Sequence, residues 1–96
     1  KLKLKDIIYI EALENYVIIT TKEDKFTIHF TMKGMESQLP SAIFIRVHRS
    51  FIVNKSMIQA IKESSLDLIY GDTVKNIPVG KSFRESLLDD INVMAR

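Results

Sequence analysis

The chain has 96 residues, of which 46% are apolar, enough for the core of one small domain without staples. It has no cysteine, which excludes a disulfide frame and a thiolate metal site, and no apolar run approaches the ~18 residues of a membrane span. The net charge of +2 excludes little by itself, but Ser37 to Lys62 holds Arg46, Arg49, Lys55 and Lys62 with no acid, and Thr73 to Arg84 holds Lys75, Lys81 and Arg84 with none, a segregation that predicts one positive face.

Asp6 to Ala12 is short and rich in Ile and Tyr and reads as a strand. Leu13-Glu14-Asn15 forms a tight connection into a second, β-branched and aromatic strand, Tyr16 to Thr21. Lys22 to Lys25 is a polar turn. Phe26 to Thr31 then alternates, with Phe26, Ile28 and Phe30 on one face and Thr27, His29 and Thr31 on the other. This period of two is the cleanest strand signal in the chain, and it predicts a hairpin with the strand before it. Met32, Met35 and Leu39 share one helical face, with Thr31 as cap and Pro40 as stop. Phe44 to Val47 and Met57 to Lys62 read as strands. Leu66 to Tyr70 and Thr73 to Val79 form a hairpin about Gly71-Asp72, and Pro78 belongs at a strand end or edge. Ser82 to Glu85 has the spacing of a capping box. A terminal helix follows, with Phe83, Leu87, Ile91 and Met94 on one stripe. The fold class is therefore mainly β: small antiparallel sheets with one short internal helix and one C-terminal helix.

The segment from Phe44 to Asn54 carries the functional signal. Arg46, His48 and Arg49 interrupt a run of apolar residues, although desolvating a cation is costly unless it is paired. The apolar residues, Phe51, Ile52 and Val53 among them, anchor the segment and hold the cations at an edge, aimed at something negative. Catalysis finds no support, because no acid lies near His48 and Ser50 to complete a nucleophile, base and orienter set. The two histidines lack partners at metal-ligand spacing, the three glycines are scattered singly, and no cofactor or metal is expected. Nucleic acid is the ligand with positive support. Arg49 can grip guanine or phosphate with its planar fork, and Lys55 and Lys81 suit phosphate. Asn15 and Tyr16 stand on a loop that can reach a base edge or a phosphate. Plainer roles stand beside these: His48 tying the segment to backbone, Arg46 covering apolar surface with its stem, Asn54 forming a turn and His29 as an exposed strand residue. The alternative function is a protein-interaction module pairing through an exposed β edge. RNA binding ranks third, since most aromatics occupy core-like positions.

Tyr9-Ile10-Glu11-Ala12, Asn15-Tyr16 and the long string Phe44-Ile45-Arg46-Val47-His48-Arg49-Ser50-Phe51-Ile52-Val53-Asn54, followed by Ile77-Pro78-Val79 and Lys81-Ser82-Phe83, resemble the LytTR DNA-binding domain family. The resemblance covers roughly Asp6 to Leu88. It implies an elongated stack of antiparallel sheets that binds promoter DNA at paired repeat sites through loop side chains. Such domains form the output end of bacterial response regulators in the cytoplasm. On that pattern the whole chain, which opens on Lys1, is one domain of a longer regulator. A receiver domain of the same chain then supplies the dimer contact, and the isolated domain is monomeric. The contacts implied come from Asn15 and Tyr16, from His48 and Arg49, and from Gly80 and Lys81. Lys55 and Arg84 join His48 as expected orienting or phosphate-side groups. Gly80 stands where the family often has serine, and Lys81 where arginine is frequent. Lysine lacks the bidentate fork, so phosphate contact is the expectation there.

Overall fold

The computed structural model describes residues 2–94, and the side chains of 2–92. Eight strands and two helices follow in the order β1 (Ile7–Leu13), β2 (Tyr16–Thr21), β3 (Lys25–His29), α1 (Met32–Gln38), β4 (Phe44–His48), β5 (Phe51–Asn54), β6 (Ile58–Ile61), β7 (Ser65–Tyr70), β8 (Thr73–Pro78) and α2 (Lys81–Met94). Single 3-10 turns at Leu4–Asp6 and Lys55–Met57 introduce β1 and β6. One antiparallel sheet has the order β3-β2-β1-β5-β4 and the other β6-β7-β8. The domain measures 34 × 29 × 21 Å.

The larger sheet is covered on both faces, which explains the unbroken apolar run at Ile7 to Ile10. Ile7 and Ile10 pack with Val17, Phe44, Ile52 and the α1 residues Met32 and Met35. Ile8 and Tyr9 pack with Val47, Val53, Leu66, Leu68, Ile77 and Leu87, the layer formed with the second sheet and α2. A strand buried on both faces has no reason to alternate. The strand with the cleanest alternation is the one with least burial. All of β3 is exposed, Phe26 and Ile28 included, because it forms the outer edge of its sheet.

Most predicted elements fall where the sequence places them. The Thr31 Oγ1 accepts the Gly34 amide at 3.0 Å as the cap of α1. Gly71 takes φ +60° in the β7–β8 turn, and Pro78 ends the edge strand β8. Phe83, Leu87 and Ile91 face inward, whereas Met94 lies outside the residues whose side chains are described. Two expectations are corrected. The strand read at Phe44 to Val47 is β4, but the apolar residues after it, read only as core, form a further strand, β5, and the two make a hairpin turning at Arg49-Ser50. The capping box is displaced, since α2 starts at Lys81 and Ser82 lies within its first turn. A tertiary bond decides this: the Gly80 amide donates to the Val47 carbonyl at 2.8 Å, while the Gly80 carbonyl accepts the Phe83 amide at 2.9 Å. Glycine fits there without adjustment, whereas a Cβ would stand 3.0 Å from the Phe83 ring, a tight contact.

Asn54 ties the entry of the domain to its middle. It is buried, donates to the Ile7 carbonyl at 2.9 Å and accepts from the Ser56 amide and hydroxyl at 3.0 and 2.8 Å. Asn54→Ala leaves that buried carbonyl without a donor and is expected to lower unfolding free energy by ~1–3 kcal/mol, read as a lower urea midpoint at unchanged slope. Asp67 on β7 supplies a pH signature. The Asn76 amide, then the Lys62 ammonium, hold its carboxyl below the ordinary 3.8. A depressed acid stabilises above its unfolded value and loses that contribution as pH falls through the folded one. The urea midpoint is therefore expected to fall less between pH 5 and pH 2 in Asp67→Asn than in the parent chain.

Candidate nucleic-acid interface

The β4–β5 turn is built by a bulge. Phe44, Ile45 and Arg46 pair with Asn54, Val53 and Ile52, but His48 pairs with Phe51, so Val47 has no partner on β5. The Val47 side chain is fully buried, and its carbonyl is freed to accept the Gly80 amide. The next carbonyls are held in turn. Arg46 Nε donates to the His48 carbonyl at 3.3 Å, and Arg46 Nη2 donates to that of Arg49 at 2.6 Å. The Ser50 carbonyl accepts the Ala12 amide of β1 at 2.9 Å. Within the turn, His48 Nδ1 accepts the Ser50 amide at 3.0 Å, and its ring stands edge-on to Phe51.

These bonds gather three separate segments. Ala12 leads through Leu13 into the β1–β2 turn, Glu14-Asn15, which therefore lies beside Arg49-Ser50. Glu14 takes φ +57°, a left-handed backbone that costs a residue with a Cβ ~1–2 kcal/mol. A cleft of about 500 Å³ between the two turns is lined by Glu14, Asn15, Tyr16, His29 and Arg49, with Ala12 and Met32 among its apolar members. On the other side, the Gly80–Val47 bond sets the start of α2, and with it Lys81, against the end of β4. Arg49 and Lys81 are both exposed, and among the described residues neither side chain has an ion-pair or hydrogen-bond partner.

Two predicted contact residues are placed otherwise. Lys55 is buried, with Nζ 2.8 Å from the Asp90 carboxylate of α2. An ammonium taken out of water needs such a partner, so it faces the domain interior rather than a phosphate. Arg84 donates from Nη1 to the carbonyls of Lys62 and Glu63 at 2.6 and 3.0 Å, fastening α2 to the β6–β7 loop. Lys62 itself pairs with Asp67 at 3.1 Å. In the acid-free stretches, acids from elsewhere in the chain pair with Arg46, Lys55 and Lys62, Arg84 meets carbonyls, and Arg49 and Lys81 have no such partner among the described residues.

Two residues were assigned plainer roles on sequence grounds. Arg46 does more than cover apolar surface: besides holding two carbonyls it pairs with Glu36 of α1 at 3.0 Å, and its guanidinium lies 5.8 Å from the Phe83 ring centre. The signal for it was an arginine two residues before a turn, where five donors suit clustered carbonyls. His29 is exposed as expected, but it pairs across the ladder with Tyr16, rings 5.2 Å apart and edge-on, and lines the same cleft. Its distance from Tyr16 in the chain hides that relation.

No helix among the described residues is long and apolar enough to cross a membrane, which says nothing of spans built from strands. A family model, the LytTr DNA-binding domain, matches residues 1–92. Sensory transduction protein LytT of Bacillus subtilis is 38% identical over 86 residues, 86% of this chain and 35% of that protein. The heme-containing CO-sensing transcriptional regulator RcoM 1 of Paraburkholderia xenovorans is 30% identical over 96 residues, 97% of this chain and 36% of the relative. The chain thus spans about a third of the length of these relatives. Among solved structures, the LytTr DNA-binding domain of a putative methyl-accepting/DNA response regulator from Bacillus cereus superposes with a TM-score of 0.81 at 29% identity, covering 94% of this chain and 84% of that one. With its two antiparallel sheets, its two helices and its basic turn between β4 and β5, this chain belongs to the LytTR family of DNA-binding domains.

Proposed function

We propose that this domain reads promoter DNA with Arg49 in the major groove, supported by Asn15 and Tyr16 from the β1–β2 turn and Lys81 from the start of α2. The observation that carries the reading is the convergence of those three segments on one end of the molecule. Arg49 stands between the other two, on a turn whose flanking carbonyls accept from both neighbours, Ser50 from Ala12 and Val47 from Gly80, while its own carbonyl accepts from Arg46. A guanidinium presented on a fixed backbone, without a partner of its own, can hold guanine O6 and N7 together. Lys81 offers a point charge suited to phosphate. His48 shapes the turn through its Nδ1 bond to Ser50, in keeping with an orienting role, and His29 braces Tyr16.

With extents of 34 × 29 × 21 Å, one domain addresses about one turn of duplex. Two copies on half-sites ~34 Å apart then provide useful affinity. The likeness to LytT supports a place at the output end of a cytoplasmic two-component regulator, where a phosphorylated receiver brings the copies together. The RcoM 1 match shows that a domain of this type also occurs in a relative described as a heme-containing CO sensor. The input domain is thus a separable question from the DNA contact.

On a duplex recovered by selection from random sequence, Arg49→Ala is expected to cost ~1–3 kcal/mol and to relax base preference at one position. An unchanged selected sequence and affinity would remove Arg49 from this role. Lys81→Ala is expected to weaken selected and random duplexes alike and to lower the salt slope by ~1. Lys55→Met, by contrast, is expected to move the thermal midpoint while leaving the salt slope as it is, because its ammonium meets Asp90 and not phosphate. A slope lower by ~1 in this variant would restore Lys55 to the interface.

A further inference from the structure

We infer that Arg46 is a positioning residue for DNA recognition: it makes no contact with DNA itself but sets where the Arg49 side chain starts. The inference rests on the reading of Arg49 given above. The ladder below the β4–β5 turn is interrupted, since the bulge at Val47 separates the last pair, His48 with Phe51, from the regular pairs before it. Two of its carbonyls, those of His48 and Arg49, instead accept from one guanidinium, at 3.3 and 2.6 Å. The same group spends a third nitrogen on Glu36 of α1 at 3.0 Å and lies 5.8 Å from the centre of the Phe83 ring. Phe83 is in turn the residue packed against Gly80, next to Lys81. Arg46 therefore touches the turn that presents Arg49 and the helix start that presents Lys81, and it fixes one relative to the other.

A planar fork is what this task requires. The Nε and Nη2 hydrogens point the same way at fixed separation, so the carbonyls of two successive residues in the turn can be held in one geometry. A lysine keeps the charge and the stem but offers a single point of attachment. The Arg46–Glu36 ion pair is a lesser part of the device. Its glutamate is half exposed, and exposed pairs contribute little.

The test is a double-mutant cycle on the 96-residue chain, using the selected duplex and a random duplex. Arg46→Lys is expected to weaken the selected duplex about tenfold while the random duplex changes less than about twofold and the salt slope stays the same. In an Arg49→Ala background the same substitution is expected to cost less than about twofold, because there is no longer a guanidinium to position. Glu36→Gln is expected to leave both affinities within about twofold. Additive losses of Arg46→Lys and Arg49→Ala, or an unaffected selected duplex in Arg46→Lys, would overturn the inference. Equal losses on both duplexes with a slope lower by ~1 would show that Arg46 meets phosphate directly, and overturn it too. If Arg49→Ala alone changes nothing, the reading of Arg49 fails first and is recognised as that separate failure. Should Arg46→Lys not fold, Arg46→Gln, which keeps an amide donor for one carbonyl, takes its place in the same cycle.

Discussion

Four successive carbonyls, Val47 to Ser50, each accept a hydrogen bond from a donor elsewhere: Gly80, Arg46 twice, and Ala12. The end of the domain that carries Asn15, Arg49 and Lys81 depends on that set. A turn that projects from a sheet edge normally leaves such groups to water and is correspondingly mobile. Here the turn is held by the first strand, by its own strand and by the last helix, so the three segments that carry Asn15, Arg49 and Lys81 cannot drift independently. The bulge at Val47 is the origin of the arrangement. It removes one residue from the ladder, keeps the side chain in the core and turns its carbonyl toward Gly80.

Glycine at position 80 suits the same geometry. The chain passes close to the end of β4 and then begins a helix whose third residue, Phe83, folds back over it, so a Cβ at Gly80 would sit tightly against that ring. The helix therefore starts where a tertiary bond allows it, one residue ahead of the serine that local spacing marks as the cap. Capping preferences are worth about 1 kcal/mol. A close approach of backbone to an aromatic ring, fixed by a 2.8 Å hydrogen bond, outweighs them.

The charge pattern gives a second lesson in scale. Seven cations lie in stretches free of acid, yet Lys55, Lys62 and Arg46 meet Asp90, Asp67 and Glu36 in space. Arg84 meets carbonyls, and Lys75 lies 5.9 Å from the Tyr9 ring centre. Lys55 finds Asp90 because an unpaired buried ammonium is expensive, whereas the more exposed Lys62–Asp67 pair contributes little. What distinguishes the candidate interface is therefore not the number of basic residues but the well-held backbone that carries Arg49 and Lys81.

From the sequence by itself came the β-rich class, the tight connection at Glu14-Asn15, the hairpins about Lys22 to Lys25 and Gly71-Asp72, and the cap at Thr31, because each rests on local chemistry: alternation, turn residues, a capping hydroxyl. The tertiary structure decided the rest. It showed β3 to be an exposed edge despite its alternation, since period reports shape and not which face is covered. It split the string from Phe44 to Asn54 at Arg49-Ser50, where a break in apolar character was visible but its hairpin geometry was not. It set Lys55 against Asp90, Arg84 against the carbonyls of the β6–β7 loop and Arg46 against Glu36. Those outcomes depend on partners 10 to 35 residues away in the chain, and no local pattern records which of them will meet.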